Sequence, residues 1–214
     1  MMADPGCEAI EAHTAVGFRQ WVFDPFTYVA GGKSLAIGLT AILLAGLVGA
    51  WSKTHFDGVL DVHTGRNAEI RDFLAEGVID WICLAAVLLL LGKIVSRTAF
   101  RTRDVFGTQA MARWPSLIIA LSALAPPYRR YADYMAWKLG MVGEVADVAS
   151  TDVLFFGLVV LAVILVTVWM VWLMYRAYSI CCNLSGSRAV GTFIAGLIAA
   201  EAISKLAVAR MLVH

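Results

Sequence analysis

The feature that most limits what this chain can become is a series of long runs with hardly any charge, of which GLVVLAVILVTVWMVWLM, inside residues 153–178, is the longest. Crossing the roughly 30 Å hydrocarbon layer of a bilayer as a helix takes about 20 mostly apolar residues. Helices satisfy their own backbone hydrogen bonds, which lipid cannot do for them. Five stretches approach that length: residues 34–51, 77–95, 108–125, 153–178 and 189–213. The first, second and fourth are clear, whereas the third is shorter and carries Arg113 and Pro115 near its start. Proline is tolerated at a helix start, where its missing N–H has no intrahelical partner anyway. The run from Pro115 is therefore expected either to dip into the membrane or to cross it, and a dip would put the C-terminus on the other side. Composition agrees, since 60% of the residues are hydrophobic and 15% charged, against about 45–50% and about 25% in soluble domains. The expected fold is all-α: a polytopic transmembrane helical bundle of five spans with short interfacial helices.

Three regions follow: an N-terminal tail over residues 1–17, an aromatic segment over 18–33, and one transmembrane helical domain over 34–214. The tail carries Asp4, Glu8 and Glu11, with only one basic residue ahead of Asp24. That is the wrong charge for a secretory leader, so the first span is expected to stay. Phe18, Trp21, Phe23, Phe26 and Tyr28, edged by Arg19 and Lys33, have the chemistry of a segment lying among lipid headgroups. Residues 135–149 are a second interfacial candidate; for both, a loop packed on the bundle is the alternative. The link after the second span holds Lys93, Arg97, Arg101, Arg103 and Arg113 against Asp104, and the link after the fourth holds Arg176 and Arg188 with no acid. Basic short loops mark the cytoplasmic side. The expectation is a bacterial inner-membrane protein with its N-terminus in the cytoplasm and its C-terminus outside, although Arg129, Arg130 and Lys138 weaken the asymmetry.

A net charge of +1 offers no attraction for nucleic acid. Cys7, Cys83, Cys181 and Cys182 form no C-x-x-C pair, so neither a zinc site nor a disulfide framework is expected. No nucleophile elbow or phosphate-binding glycine loop is present, and no cofactor is expected. Three constellations remain. The link THFDGVLDVHTG, from Thr54, contains His55, Asp57, Asp61 and His63, residue types that together bind zinc, iron or manganese. Their spacing matches no metal signature, and the alternative is a hydrogen-bonded cap on the bundle. Glu201 and Lys205 lie one helical turn apart and can pair; with Asp80 they are the charged groups expected at or near membrane depth, where ionisable residues are functional candidates. Asp80, near the start of its span, also suits the interface. Finally, small residues recur every four positions: Ala41, Ala45 and Gly49 in the first span, and Gly191, Ala195 and Ala199 beside Gly196, Ala200 and Ser204 in the fifth. Such rows let helix backbones approach closely in lipid.

The order of parts resembles the YIP1 family of five-span membrane proteins, particularly its bacterial members. The residues that carry the likeness are FDPFTYVAG (from Phe23), THFDGVLDVHTG, and RAYSICCNLSGSRAVGTFIAG (from Arg176), over most of the chain from Phe18 onward. The resemblance implies a cytoplasmic N-terminus, five helices and no established enzymatic activity. Eukaryotic members act in vesicle traffic and bind small GTPases through their N-terminal regions. This chain has a short N-terminal segment without an Asp-Leu-Tyr-Gly signature, and only Asp24, Pro25 and Phe26 in a comparable place, so no GTPase-binding residues carry over. The expected role is non-enzymatic organisation of membrane or membrane-protein assembly, with the lipid bilayer, a second copy or another membrane protein as partner. The alternatives are a small transporter or channel using Asp80, Glu201 and Lys205, and a membrane metalloenzyme using the His/Asp link.

Overall fold

The structure, a computed structural model, describes residues 17–64, 68–140 and 147–212. Most of the N-terminal tail, Cys7 included, and most of the second half of the 135–149 candidate lie outside the described residues. The described chain is all-α apart from one small ladder. Helix α1 (Phe18–Phe23) and a 3-10 turn (Pro25–Thr27) lead into α2 (Gly31–Ser52); strands β1 (Thr54–His55) and β2 (His63–Thr64) follow. Then come α3 (Ile70–Val95), α4 (Thr102–Ala112), α5 (Ser116–Ser122), α6 (Pro126–Lys138), α7 (Ser150–Cys181) and α8 (Gly186–Leu212).

Four helices, α2, α3, α7 and α8, are long and apolar enough to cross a membrane. Each begins before the boundary read from hydropathy, most of all α3, which begins at Ile70 rather than near residue 77. The cause is local: Asp72 accepts a hydrogen bond from the Glu69 N–H at 3.1 Å, capping a polar first turn that hydropathy alone assigns to the link. In the same way Asp152 accepts from the Ala149 N–H at 3.2 Å and starts α7. At 32 residues, α7 is about 48 Å long at 1.5 Å per residue.

The third apolar stretch differs from the other four. It is divided between α4 and α5, neither of spanning length by itself. Pro115 has no N–H to give the carbonyl of Met111, and its ring crowds that carbonyl. Trp114 takes over that acceptor at 3.2 Å, and Ser116 bonds back to Arg113 at 2.9 Å, so the helix tightens into three-residue turns and restarts.

The contacts along these helices fix their relative directions. At the end of the bundle where α2 begins, here the proximal end, a Cβ on Gly31 would meet Asp104 at the start of α4. Further along, one on Gly38 would lie 2.2 Å from the Ala110 carbonyl carbon and 2.3 Å from the Met111 nitrogen. Beyond the break, Ala45 packs in one buried cluster with Ile119, Ala120 and Phe56. Thus α4 and α5 in succession run beside α2, in its direction, to the distal end that carries β1 and β2. Helix α3 runs the opposite way, from Phe73 beside Gly46 to Gly92 beside Cys182. Helix α7 returns from Phe156, stacked on Tyr128 with centroids 5.0 Å apart, to Cys181, whose sulfur is 3.2 Å from the Thr108 hydroxyl. Helix α8 reverses through a short turn in which Asn183 and Gly186 take left-handed conformations, which those two residue types tolerate best.

The aromatic lead-in sits at the proximal end against α7. Trp169 Nε1 donates to the Val22 carbonyl at 3.1 Å, Arg176 pairs with Asp24, and Phe26 is buried while Phe18 is 85% exposed. The outer face of α7, including Leu154, Leu158, Leu161, Leu165 and Val168, is largely uncovered. A soluble monomer rarely exposes an apolar surface this extensive, and a lipid-facing helix does so at no cost.

Candidate functional site

The polar groups converge at the distal half of the bundle, where the 54–64 segment folds inward. Lys53 ends α2 in a left-handed conformation, and the antiparallel pairing of Thr54 with Thr64 and His55 with His63 closes the segment into a loop. Phe56 and Val59 are buried, so the loop is drawn down onto the helices instead of lying out over them.

Its backbone and side chains are then held by ionisable groups of α3, α4 and α8. His55 Nδ1 lies 2.9 and 3.1 Å from the two carboxylate oxygens of Glu76, both side chains being fully buried. An imidazole N–H donates to a carboxylate in that geometry. Glu76 also accepts from the Phe56 N–H at 3.2 Å. Arg113, 2% exposed at the α4 terminus, donates to Asp80 at 3.2 Å and to the Val59 carbonyl at 3.3 Å. Glu201 accepts from the Leu60 N–H at 2.9 Å. Gly58 lies so close to it that a Cβ there would sit 2.6 Å from Glu201 Oε1. Lys205 completes the outer edge, 2.6 Å from Asp61 and 3.4 Å from Glu201. Three helices therefore each lend a charged group to one loop, and each of those charges has a protein partner of its own.

Among the candidate metal residues, Asp57, Asp61 and His63 bring ligand atoms within 4.8 Å of one another, with Asp57 and His63 3.2 Å apart. His55 stands apart from that trio. Its ring stacks on His63 at 5.3 Å while its Nδ1 faces Glu76. A divalent ion at the trio would compete with the Lys205 ammonium for Asp61. Among the candidate membrane charges, Asp80 is fully buried within the bundle, and its ion-pair partner is Arg113, counted in the sequence as a loop charge. Glu76 is a second group that sequence reasoning left in the polar link. A signal for it existed, because Glu76 and Asp80 are four residues apart and share a helical face with Phe73, Leu84 and Leu88, all buried.

The small-residue rows separate. On α2, Ala45 and Gly49 are buried, and a Cβ on Gly49 would lie 2.6 Å from the Thr54 carbonyl; Ala41 is half-buried. On α8, Gly196, Ala200 and Ser204 are buried, and a Cβ on Gly196 would meet Leu88 at 2.7 Å. Gly191, Ala195 and Ala199, on the other side of the same helix, are exposed, and nothing lies within 4 Å of a Cβ built on Gly191.

Beside the loop, Thr54, Thr64, Ile119, Tyr128 and Val163 line a cavity of about 230 Å³. Burial holds the Tyr128 phenol above its usual range, and its hydrogen bond with Thr64 works in the opposite direction. Compared with known proteins, the chain matches no family model, no curated protein and no solved structure.

Proposed function

We propose that this protein is a non-enzymatic integral membrane protein of YIP1-like type, crossing the bilayer five times and organising membrane or membrane-protein assembly through its outer helix faces. What supports the fifth crossing is the course of α4 and α5 beside α2 from the proximal to the distal end. What supports a cytoplasmic proximal end is the clustering of Lys93, Arg97, Arg101, Arg103 and Arg188 in its two short links, Arg113 being removed from the loop count by its burial, while Lys53, Arg71, Arg129, Arg130 and Lys138 at the distal end weigh against it.

The observation that carries the functional reading is the contrast between the rows on α8. One is filled by α3, while Gly191, Ala195 and Ala199 leave a shallow open groove facing outward. Close backbone approach at small residues is a principal means by which membrane helices associate, and a second helix would fit this groove. The test is association between donor- and acceptor-labelled copies in liposomes, together with recovery of cross-linked membrane partners. Gly191→Leu and Ala195→Leu are expected to abolish association at an unchanged melting temperature. A wild-type protein that is strictly monomeric, recovers no membrane partner and is indifferent to both substitutions rejects the reading.

One observation favours transport as a second reading. The chain of charges from Asp61 through Lys205 and Glu201 leads inward toward Asp80, which interacts electrostatically with Glu201 and adjoins the Ser204 hydroxyl. A transporter would give ion flux in proteoliposomes that Glu201→Gln abolishes. Absence of flux, or flux that the substitution leaves alone, removes it.

A further inference from the structure

At the proximal end a cavity of about 490 Å³ opens between the end of α3 and the turn from α7 into α8. Two arginines from separate segments line it, Arg97 just past α3 and Arg188 in the first turn of α8, together with Thr98, Asn183, Ser185 and Ser187. Neither guanidinium is ion-paired among the described residues, whereas Arg71, Arg113, Arg130 and Arg176 each reach a carboxylate. No acidic residue lines the cavity.

We propose that this cavity binds the phosphate group of an anionic glycerophospholipid. Its chemistry is that of an oxyanion site. Guanidinium groups grip phosphate through paired N–H donors, three hydroxyls can donate alongside them, and the first N–H groups of α8, which have no intrahelical partner, add positive potential. Its position selects the lipid. Arg97 and Arg188 flank the ends of two apolar helices of spanning length, the depth at which lipid phosphates are concentrated, and basic pockets between membrane helices are recurrent headgroup sites. The cavity is large enough for a whole headgroup rather than a bare ion. Two positive charges facing one phosphodiester leave a surplus, so the site discriminates against zwitterionic lipids, whose own cation is repelled. This site is separate from the outward groove of α8 and stands whether or not that groove takes a partner.

The test uses the full-length protein in detergent, presented with equal amounts of phosphatidylglycerol and phosphatidylcholine, the retained lipid being counted by native mass spectrometry. The wild type is expected to retain phosphatidylglycerol several-fold over phosphatidylcholine. Arg97→Gln with Arg188→Gln is expected to remove the preference at an unchanged melting temperature. Arg97→Lys with Arg188→Lys, which keeps the charge but not the paired donors, is expected to lose part of it. Arg101→Gln, a basic residue outside the cavity, is expected to retain it. A wild type without preference overturns the proposal, as does an equal loss in Arg101→Gln, which would mean diffuse surface charge. Millimolar inorganic phosphate that displaces the lipid, and binds as well in its absence, overturns the lipid assignment in favour of a soluble anion.

Discussion

Arg113 is buried between Asp80, to which it donates at 3.2 Å, and the Val59 carbonyl, to which it donates at 3.3 Å. A charge so placed is costly unless its partner remains, and removing one member of a buried pair typically costs about 3–5 kcal/mol. Arg113→Ala is therefore expected to lower stability by about that amount, measured by denaturation in detergent micelles. The double replacement Asp80→Leu with Arg113→Met, which leaves no orphaned charge, is expected to cost much less. Glu76 offers a parallel case. Glu76→Gln weakens its hold on the His55 imidazole and the Phe56 N–H, and its expected effect is faster amide exchange across the 54–64 loop with the helices unaffected. Neither pairing could be read from spacing, because His55 and Glu76 are 21 positions apart and Asp80 and Arg113 are 33 apart. Lys205 and Glu201, by contrast, were legible, since neighbours at i and i+4 share a helical face whatever the rest of the chain does.

At the scale of elements, the small-residue rows have two fates that the same four-residue spacing cannot distinguish. Gly38 and Gly196 are places where another element presses on the helix, so enlarging them is overpacking, at about 1–3 kcal/mol or more. Gly191 faces outward, and a leucine there is expected to change stability by no more than about 0.5 kcal/mol, as at other open positions. Melting curves of Gly38→Leu, Gly196→Leu and Gly191→Leu should thus fall into two groups, the first two lowered and the third unchanged. The break between α4 and α5 was half legible. Pro115 marked a helix boundary, but only the packing of Gly38 against Ala110 and of Ala45 beside Ile119 set the two pieces end to end along α2.

For the whole molecule, alternation of direction is what gives the bundle its sidedness. With five crossings, α6 lies at the distal end beside the 54–64 loop; with four, it would lie on the side of Arg101. Single cysteines at Lys53, Lys138, Arg101 and Arg188, in a background without the native thiols, are expected to divide into two pairs when labelled in intact vesicles. Lys53 and Lys138 should react from one side, and Arg101 and Arg188 from the other. Labelling of Lys138 with Arg101 would eliminate the fifth crossing. The sequence by itself determined that the chain is helical and that four of its segments have the length and apolarity to cross a bilayer, because those properties depend only on local hydrogen bonding and on side-chain transfer from water, summed along a run. Tertiary structure alone decided which charges are buried together, which glycines are filled and that the His/Asp link folds inward as a tethered loop, because each of these is a contact between segments that are distant in the chain and meet only when the bundle closes.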